Sequence, residues 1–188
     1  MKTPIYLKVI AVACIGALAS CAPPPQAQKL QVSASLRSGT SASGKVHDAV
    51  NAYRRNQGAA DLQRHPGLDR LAQEHCEFLR LNRGKFGLHG KNVSHDGFEA
   101  RTLAARSRYN MLSLGENVAA AVAPASNPAP ILVDLWVASK HHERNMRDSW
   151  THTGIGLVVD ADGTVFSTQL FSTISYSQME SRNRFNRF

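Results

Sequence analysis

The sequence lacks a hydrophobic run long enough to cross a membrane as a helix. Its most apolar stretch, 9–18, has about ten residues, whereas a membrane-spanning helix needs about twenty. A thin basic start, with Lys2 and Lys8, precedes it, and this order is typical of a secretory signal peptide. The prolines at 23–25 would also end any helix that continued. We therefore predict a signal peptide over residues 1–20.

Cysteine is scarce, with three in the chain. The segment 18–21, Leu-Ala-Ser-Cys, resembles the lipobox of bacterial lipoprotein precursors, which are cut before the cysteine and acylated on it. We expect Cys14 to be removed and Cys21 to carry lipid; the alternative is an ordinary signal peptide with a chance cysteine. Cys76 would then have no partner for an intramolecular disulfide, and we expect a buried, unreactive thiol.

Acylation would determine where the protein works. Two or three acyl chains on Cys21 would hold it firmly to a membrane, whereas one chain holds only marginally. We therefore predict a lipid-anchored protein of the bacterial cell envelope. The residue after the cysteine is Ala22 and not Asp. If the cell is Gram-negative, this resembles lipoproteins that are sorted to the outer membrane and face the periplasm.

The rest of the chain divides by composition. Residues 22–44 are rich in Pro, Gln, Ser and Ala, so the segment 21–44 is predicted to be the lipidated cysteine and a flexible tether. A single domain is expected at 45–173, followed by a polar, Arg-rich tail at 174–188. The 22 Lys and Arg and 14 Asp and Glu are interleaved, without the basic and aromatic runs of nucleic-acid readers. We therefore expect no nucleic-acid partner.

Helical spacing of apolar residues dominates the first part of the domain. It predicts helices at 45–57, at 66–79 with Gly84 beyond its end, at 98–106 and at 131–139. Ser43 is the expected N-cap of the first of them.

β-rich segments come mainly at the end. The runs 153–159 and 164–171, joined by Asp-Ala-Asp-Gly, predict a hairpin, and 114–122 is a further candidate strand. The fold class is therefore α+β, with helices packed on a small antiparallel sheet.

Three polar clusters interrupt otherwise apolar surroundings. They are Ser94-His95, Gly115-Glu116-Asn117 and Trp136-x-x-Ser139-x-x-His142. The three clusters resemble, in the same order, the signature motifs of the CAP superfamily, also called SCP domains. This superfamily includes cysteine-rich secretory proteins, antigen 5 and pathogenesis-related 1. The resemblance is strengthened by Val50-Asn51-x-x-Arg54 near the start and by Gly154-x-Gly156 and Thr168-Gln169-x-Phe171 near the end.

The resemblance implies an α-β-α sandwich with a cleft lined by His95, Glu116 and His142. Asn117 and Ser139 would support this cleft. Ser139 stands where many animal and plant members have a second glutamate, so one carboxylate is missing. Glu143 cannot replace it, because an adjacent helix position points about 100° away.

Two imidazoles and one carboxylate match a zinc-type ligand set, so His95, His142 and Glu116 are candidate zinc ligands. A second interpretation is that His95 and Glu116 form a buried structural pair, and a third is a His89–His95 metal pair. Consecutive Ser94, His95 and Asp96 cannot form a catalytic relay, because each side chain must bond the next.

The sequence is compatible with three functions. The first is a binding module that holds an envelope ligand, lipid or protein partner through the cleft. The second is a zinc-assisted hydrolase acting on peptide or cell-wall substrates, with Glu116 as ligand or general base. The third is a purely structural role for the cleft. The missing carboxylate and the lack of an evident nucleophile favour the first over an enzyme.

Overall fold

The computed structural model describes residues 41–86 and 93–174. The predicted signal peptide, Cys21, most of the tether, His89 and the tail from residue 175 lie outside the described residues. Within the described part, no helix is both long and apolar enough to span a membrane.

The fold class is α+β, as predicted, with the described helices before the terminal hairpin. The elements are α1 (Ala42–Asn56), β1 (Gln63–Arg64), α2 (Pro66–Leu81), α3 (Phe98–Tyr109), β2 (Met111–Val122), α4 (Ala129–Val137), α5 (Lys140–Arg147), β3 (His152–Val159) and β4 (Thr164–Ile174).

The strands form one sheet in the order β1-β3-β4-β2. The predicted hairpin β3–β4 and the candidate strand β2 are both confirmed, and β4 pairs antiparallel with each of them. The sheet is nevertheless mixed, because β1 pairs parallel with β3. A two-residue strand shows no periodicity, so the sequence could not reveal it. This order leaves β2 at an edge of the sheet.

Helices cover both faces of the sheet, which gives the expected three layers. Side chains of β4 alternate between the faces: Phe166 and Leu170 pack on the α2 side, while Val165 and Phe171 pack on the side of α1, α4 and α5. The core on the α2 side also contains Ala105 of α3. Each face of the sheet therefore has its own apolar core.

Two glycines allow α2 to lie directly against β3. A Cβ on Gly154 would come within 2.1 Å of the Leu68 backbone, and one on Gly156 within 2.3 Å of the Ala72 backbone. Such contacts are far below van der Waals distance, so any larger residue would push the helix away. The Gly-x-Gly pattern is thus a packing requirement of this helix–strand contact.

Side chains of α2 also complete the hydrogen bonding of β3. The Ile155 amide donates to Asp69 Oδ1 at 2.8 Å, and the Leu157 amide donates to Gln73 Oε1 at 3.0 Å. Buried backbone donors need such partners. The helix therefore covers the part of the β3 edge that the short β1 leaves unpaired.

Several predicted boundaries need correction. The first helix begins at Ala42 and not at 45, because Ser41, rather than Ser43, caps it by accepting a hydrogen bond from Gly44. The predicted helix 131–139 ends at Val137, and α5 starts at Lys140 with Ser139 in the N-cap position.

Candidate functional site

Glu116 is a buried carboxylate on the edge strand β2. The residue as a whole is 4% exposed, and its side chain lies on the same face of β2 as Val118, which packs on the α2 side of the sheet. Asn117, the next residue, points to the opposite face. Burying a charge without partners is very costly, so the neighbours of Glu116 define the site.

Both oxygens of Glu116 are occupied. His95 Nδ1 lies 2.8 Å from Oε1, and because a carboxylate only accepts, this ring nitrogen carries the proton. Arg101 donates from Nε to Oε2 at 2.7 Å and from Nη2 to Oε1 at 2.9 Å. Burial alone would raise the pKa of Glu116, but the hydrogen bonds from His95 and Arg101 outweigh it and lower the pKa below its ordinary value.

Arg101 is a site residue that the sequence did not reveal. It lies on α3, and its third nitrogen, Nη1, donates to the Asp96 carbonyl at 2.8 Å. The guanidinium therefore joins the start of α3 to the carboxylate on β2. Nothing in its spacing marks Arg101 as different from the other arginines of α3.

His75 is the second missed residue. It is 2% exposed, and its Nδ1 lies 3.7 Å from Glu116 Oε2 and 3.0 Å from Thr168 Oγ1. Burial lowers the pKa of His75 to about 4, against the opposing effect of Glu116, so the ring is neutral at pH 7. Its position on the apolar stripe of α2 was the signal that could have identified it.

His142 approaches from α5. Its ring centroid lies 6.2 Å from that of His95, so the two predicted histidines do come together. Burial first, and then the neighbouring His95 and His141, lower the pKa of His142 to about 4. At neutral pH this ring is therefore uncharged, and it makes no hydrogen bond to another described side chain or backbone group.

Asn117 fixes α5 against β2. Its Nδ2 donates to the His142 carbonyl at 3.0 Å, and its Oδ1 accepts from Asn145 Nδ2 at 2.9 Å. The same Asn145 nitrogen lies 3.2 Å from the Glu116 carbonyl. These bonds hold the backbone of the two strand residues and of the His142 turn in one arrangement.

Ser139 and Glu143 do not join the cluster around Glu116. The Ser139 side chain makes no capping hydrogen bond, although its position starts α5 and so directs His142. Glu143 accepts a hydrogen bond from the Tyr53 hydroxyl at 2.8 Å, on another side of the helix, as its angular position predicts.

Cys76 lies beneath the site and not in it. It is fully buried on α2, and burial raises the pKa of its thiol to about 12. Reactive cysteines have lowered pKa values and partial exposure. The thiol is therefore an unreactive core group, as expected from the sequence.

The residues fit a metal only in part. Among residues 41–86 and 93–174, no three His, Cys, Asp or Glu side chains are grouped as a metal site. Glu116 fits poorly as a ligand, because a cation there would face the guanidinium of Arg101. His95 fits better: its Nδ1 is held by a carboxylate and Nε2 is left open, as in metal-binding histidines.

Comparison with protein families identifies a match over most of the domain. The model of the cysteine-rich secretory protein family, CAP, matches residues 47–171, which include all three polar clusters. None of the curated proteins matches the chain.

Two solved structures resemble this one. An outer surface protein from Borrelia burgdorferi superposes with a TM-score of 0.56 at 16% identity, covering 69% of this chain and 90% of that one. A cysteine-rich secretory protein from Staphylococcus aureus gives a TM-score of 0.49 at 16% identity, covering 68% of this chain and 37% of that one. At this identity the first likeness concerns the fold alone.

Proposed function

Because the chain belongs to the cysteine-rich secretory protein (CAP) family, we propose that it is a binding module whose cleft, formed by His95, Glu116 and His142, holds a ligand of the bacterial cell envelope. The observation that carries this proposal is the double engagement of Glu116 by His95 and Arg101. A carboxylate held in this way, with a lowered pKa, is a weak proton acceptor. The cleft is therefore better suited to binding than to acid–base catalysis.

The groups open to a ligand are imidazole nitrogens. His95 has a side chain that is 52% exposed, and its Nε2 is an acceptor when Nδ1 carries the proton. His142 is neutral at pH 7 and lies beside it. Because Nε2 of His95 accepts, these imidazoles suit a ligand that donates from hydroxyl or amide groups, as envelope lipids and proteins do.

A thermal-shift assay on the full chain in nonionic detergent tests the cleft. We expect an envelope lipid or peptidoglycan fragment to raise the melting temperature, because a ligand at a hundredfold excess over its Kd stabilises by about 2.7 kcal/mol. The His142→Gln variant should lose this shift. The neighbouring and exposed His141 provides the control, since His141→Gln should keep it. No shift with any lipid, peptidoglycan fragment or divalent metal counts against the proposal.

We also propose that lipid on Cys21 anchors the protein in the cell envelope. Support comes from the lipobox-like segment 18–21 and from the likeness to a Borrelia outer surface protein. Cell fractionation tests it: the wild type should sediment with membranes, and Cys21→Ala should not. A Cys21→Ala protein that stays with the membranes contradicts the anchor.

A zinc-assisted hydrolase is the second candidate. It is favoured by the carboxylate that orients His95 and leaves Nε2 open next to His142. Those two histidines would hold the ion, and Glu116 would orient His95 instead of binding the metal. Zinc would supply an acidified water for hydrolysis. Mass spectrometry of the dialysed protein decides: equal, negligible zinc in wild type and His142→Ala excludes this function.

A further inference from the structure

A groove lies apart from the proposed ligand site of His95, Glu116 and His142. It has a volume of about 980 Å³ and lies between the C-terminal end of α1, one side of α5 along its length and the segment 148–151. None of His95, Glu116 or His142 lines it. A ligand could therefore occupy this groove without touching the cleft.

One side of α5 lines the groove with basic side chains. Lys140, Arg144 and Arg147 follow each other at spacings of four and three residues, which places them on one helix face. Within the described part of the chain, the side chains of Lys140 and Arg144 have no hydrogen-bond or ion-pair partner. Arg147 contacts Glu143 at 3.2 Å and is itself 53% exposed. Lys140 and Arg144 are thus exposed cations without a direct partner in that part of the chain, although the charge of Arg144 also acts on Glu143.

A buried arginine forms the floor of the groove. Arg54 is 1% exposed and donates to the carbonyls of Ala60, Met146 and Asp148 at 2.8, 2.6 and 2.9 Å. The carbonyls at the end of α5 would otherwise give the groove a negative potential. The guanidinium of Arg54 donates to these carbonyls and so offsets their negative potential. No carboxylate of the described residues is within ion-pair distance of it, although Asp61 and Asp148 interact with its charge at longer range.

The two carboxylates in the groove are already engaged. Glu143 accepts from the Tyr53 hydroxyl and from Arg147, and Asp148 Oδ1 accepts from the Ser149 amide at 2.7 Å. Four cationic residues therefore face two carboxylates, and the lining has a formal charge of +2 (4 − 2).

We propose that this groove binds a multivalent phosphate anion. Lys140 and Arg144 would contact the phosphates directly, and Arg54 would strengthen their attraction from below. Phosphate groups occur on soluble polymers and on lipid headgroups, and the spacing of cations along α5 suits either. This inference is independent of the cleft and its ligand.

Isothermal titration of the full chain in nonionic detergent with inorganic tripolyphosphate tests the proposal. Lys140→Ala/Arg144→Ala should weaken binding at least about tenfold, equivalent to about 1.4 kcal/mol. Arg106→Ala/Arg108→Ala removes the same charge from exposed positions of α3 and should change Kd less than about twofold. Equal losses in the two double variants would show general charge attraction and overturn the groove assignment.

The source of the phosphate is decided by a second arm. Vesicles of phosphatidylglycerol are compared with vesicles of phosphatidylcholine, using Cys21→Ala protein to remove the predicted anchor. A preference for the anionic vesicles that Lys140→Ala/Arg144→Ala abolishes assigns the groove to lipid headgroups. Tripolyphosphate binding without that preference assigns it to a soluble phosphate polymer. Absence of both overturns the proposal, and the cleft is unaffected because the sites share no residue.

Discussion

Replacing Glu116 by glutamine tests whether the buried carboxylate holds the cleft together. The Glu116 side chain is 2% exposed and that of Arg101 is 11% exposed, so little water can compensate for a lost charge. Glutamine keeps the shape but leaves the guanidinium without its anion. Removing one partner of a buried ion pair costs about 3–5 kcal/mol. Because Arg101 is slightly accessible, we expect a loss in unfolding free energy of about 3 kcal/mol at pH 7.

Urea-induced unfolding followed by circular dichroism measures this loss. Glu77→Gln is the matched control, because Glu77 is 46% exposed and pairs only with Arg80 at 3.2 Å among the described residues. Exposed pairs contribute at most about 1 kcal/mol. If Glu116→Gln lost no more than this control, the ion pair would not be a stabilising element, and the reasoning would be refuted.

The pH dependence of the same loss separates charge from packing. The pKa of Glu116 is lowered on folding, so its contribution is fully present above the ordinary value of 4.5 and is lost as pH falls through the folded value. The difference between wild type and Glu116→Gln should therefore shrink below about pH 4.5. A difference that stayed constant down to about pH 3 would indicate packing alone.

Two further predictions concern stability. His75 and His142 have pKa values lowered from 6.5 to about 4, so the unfolded chain binds more protons between about pH 4 and pH 6.5. The free energy of unfolding should therefore fall on acidification by about 1.4 kcal/mol per pH unit for each ring. If His75→Gln showed the same dependence of unfolding free energy on pH as the wild type, this prediction would be contradicted. Gly156→Ala should lower the free energy of unfolding by more than about 3 kcal/mol, because the new Cβ would collide with the α2 backbone. The control Gly58→Ala lies at φ 74° in open space and should lose only about 1–2 kcal/mol. Equal losses in the two variants would contradict the packing argument.

Local patterns predicted much of the fold. The apolar stripe of α2 and the Asp-Ala-Asp-Gly turn between β3 and β4 each act over a few residues, so the sequence alone identifies them. The sequence analysis ended the fourth helix at 139 and did not predict α5 as a separate helix, because the helical spacing from Trp136 to His142 continues across Ser139. β1 was missed because pairing with β3, and not its own two residues, makes it a strand.

The site was only partly predictable. Its motifs identified His95, Glu116 and His142 through the family resemblance, and the pairing of His95 with Glu116 was one of the alternatives. Arg101 and His75 lie far from Glu116 in sequence yet contact it in the fold. The apolar stripe of α2 could have indicated that His75 is buried. Its contact with Glu116, like that of Arg101, depends on how α2 and α3 pack on one face of the sheet.

Stability alone does not explain why a buried ion cluster is kept here. Apolar side chains of similar volume often stabilise a core as well as or better than an ion pair. The cluster has a second effect: an ionised Glu116 can only accept, so it fixes the proton of His95 on Nδ1 and leaves Nε2 as an acceptor.

This orienting role makes a prediction that a structural role does not. In Glu116→Gln the amide can present either its oxygen or its NH₂ group to Nδ1, so His95 should sample both tautomers. Nitrogen-15 NMR of the imidazoles above the range of histidine titration would detect the change, with His141 as the internal control. A His95 tautomer that stayed on Nδ1 would mean that other contacts orient the ring, and that Glu116 acts on stability only.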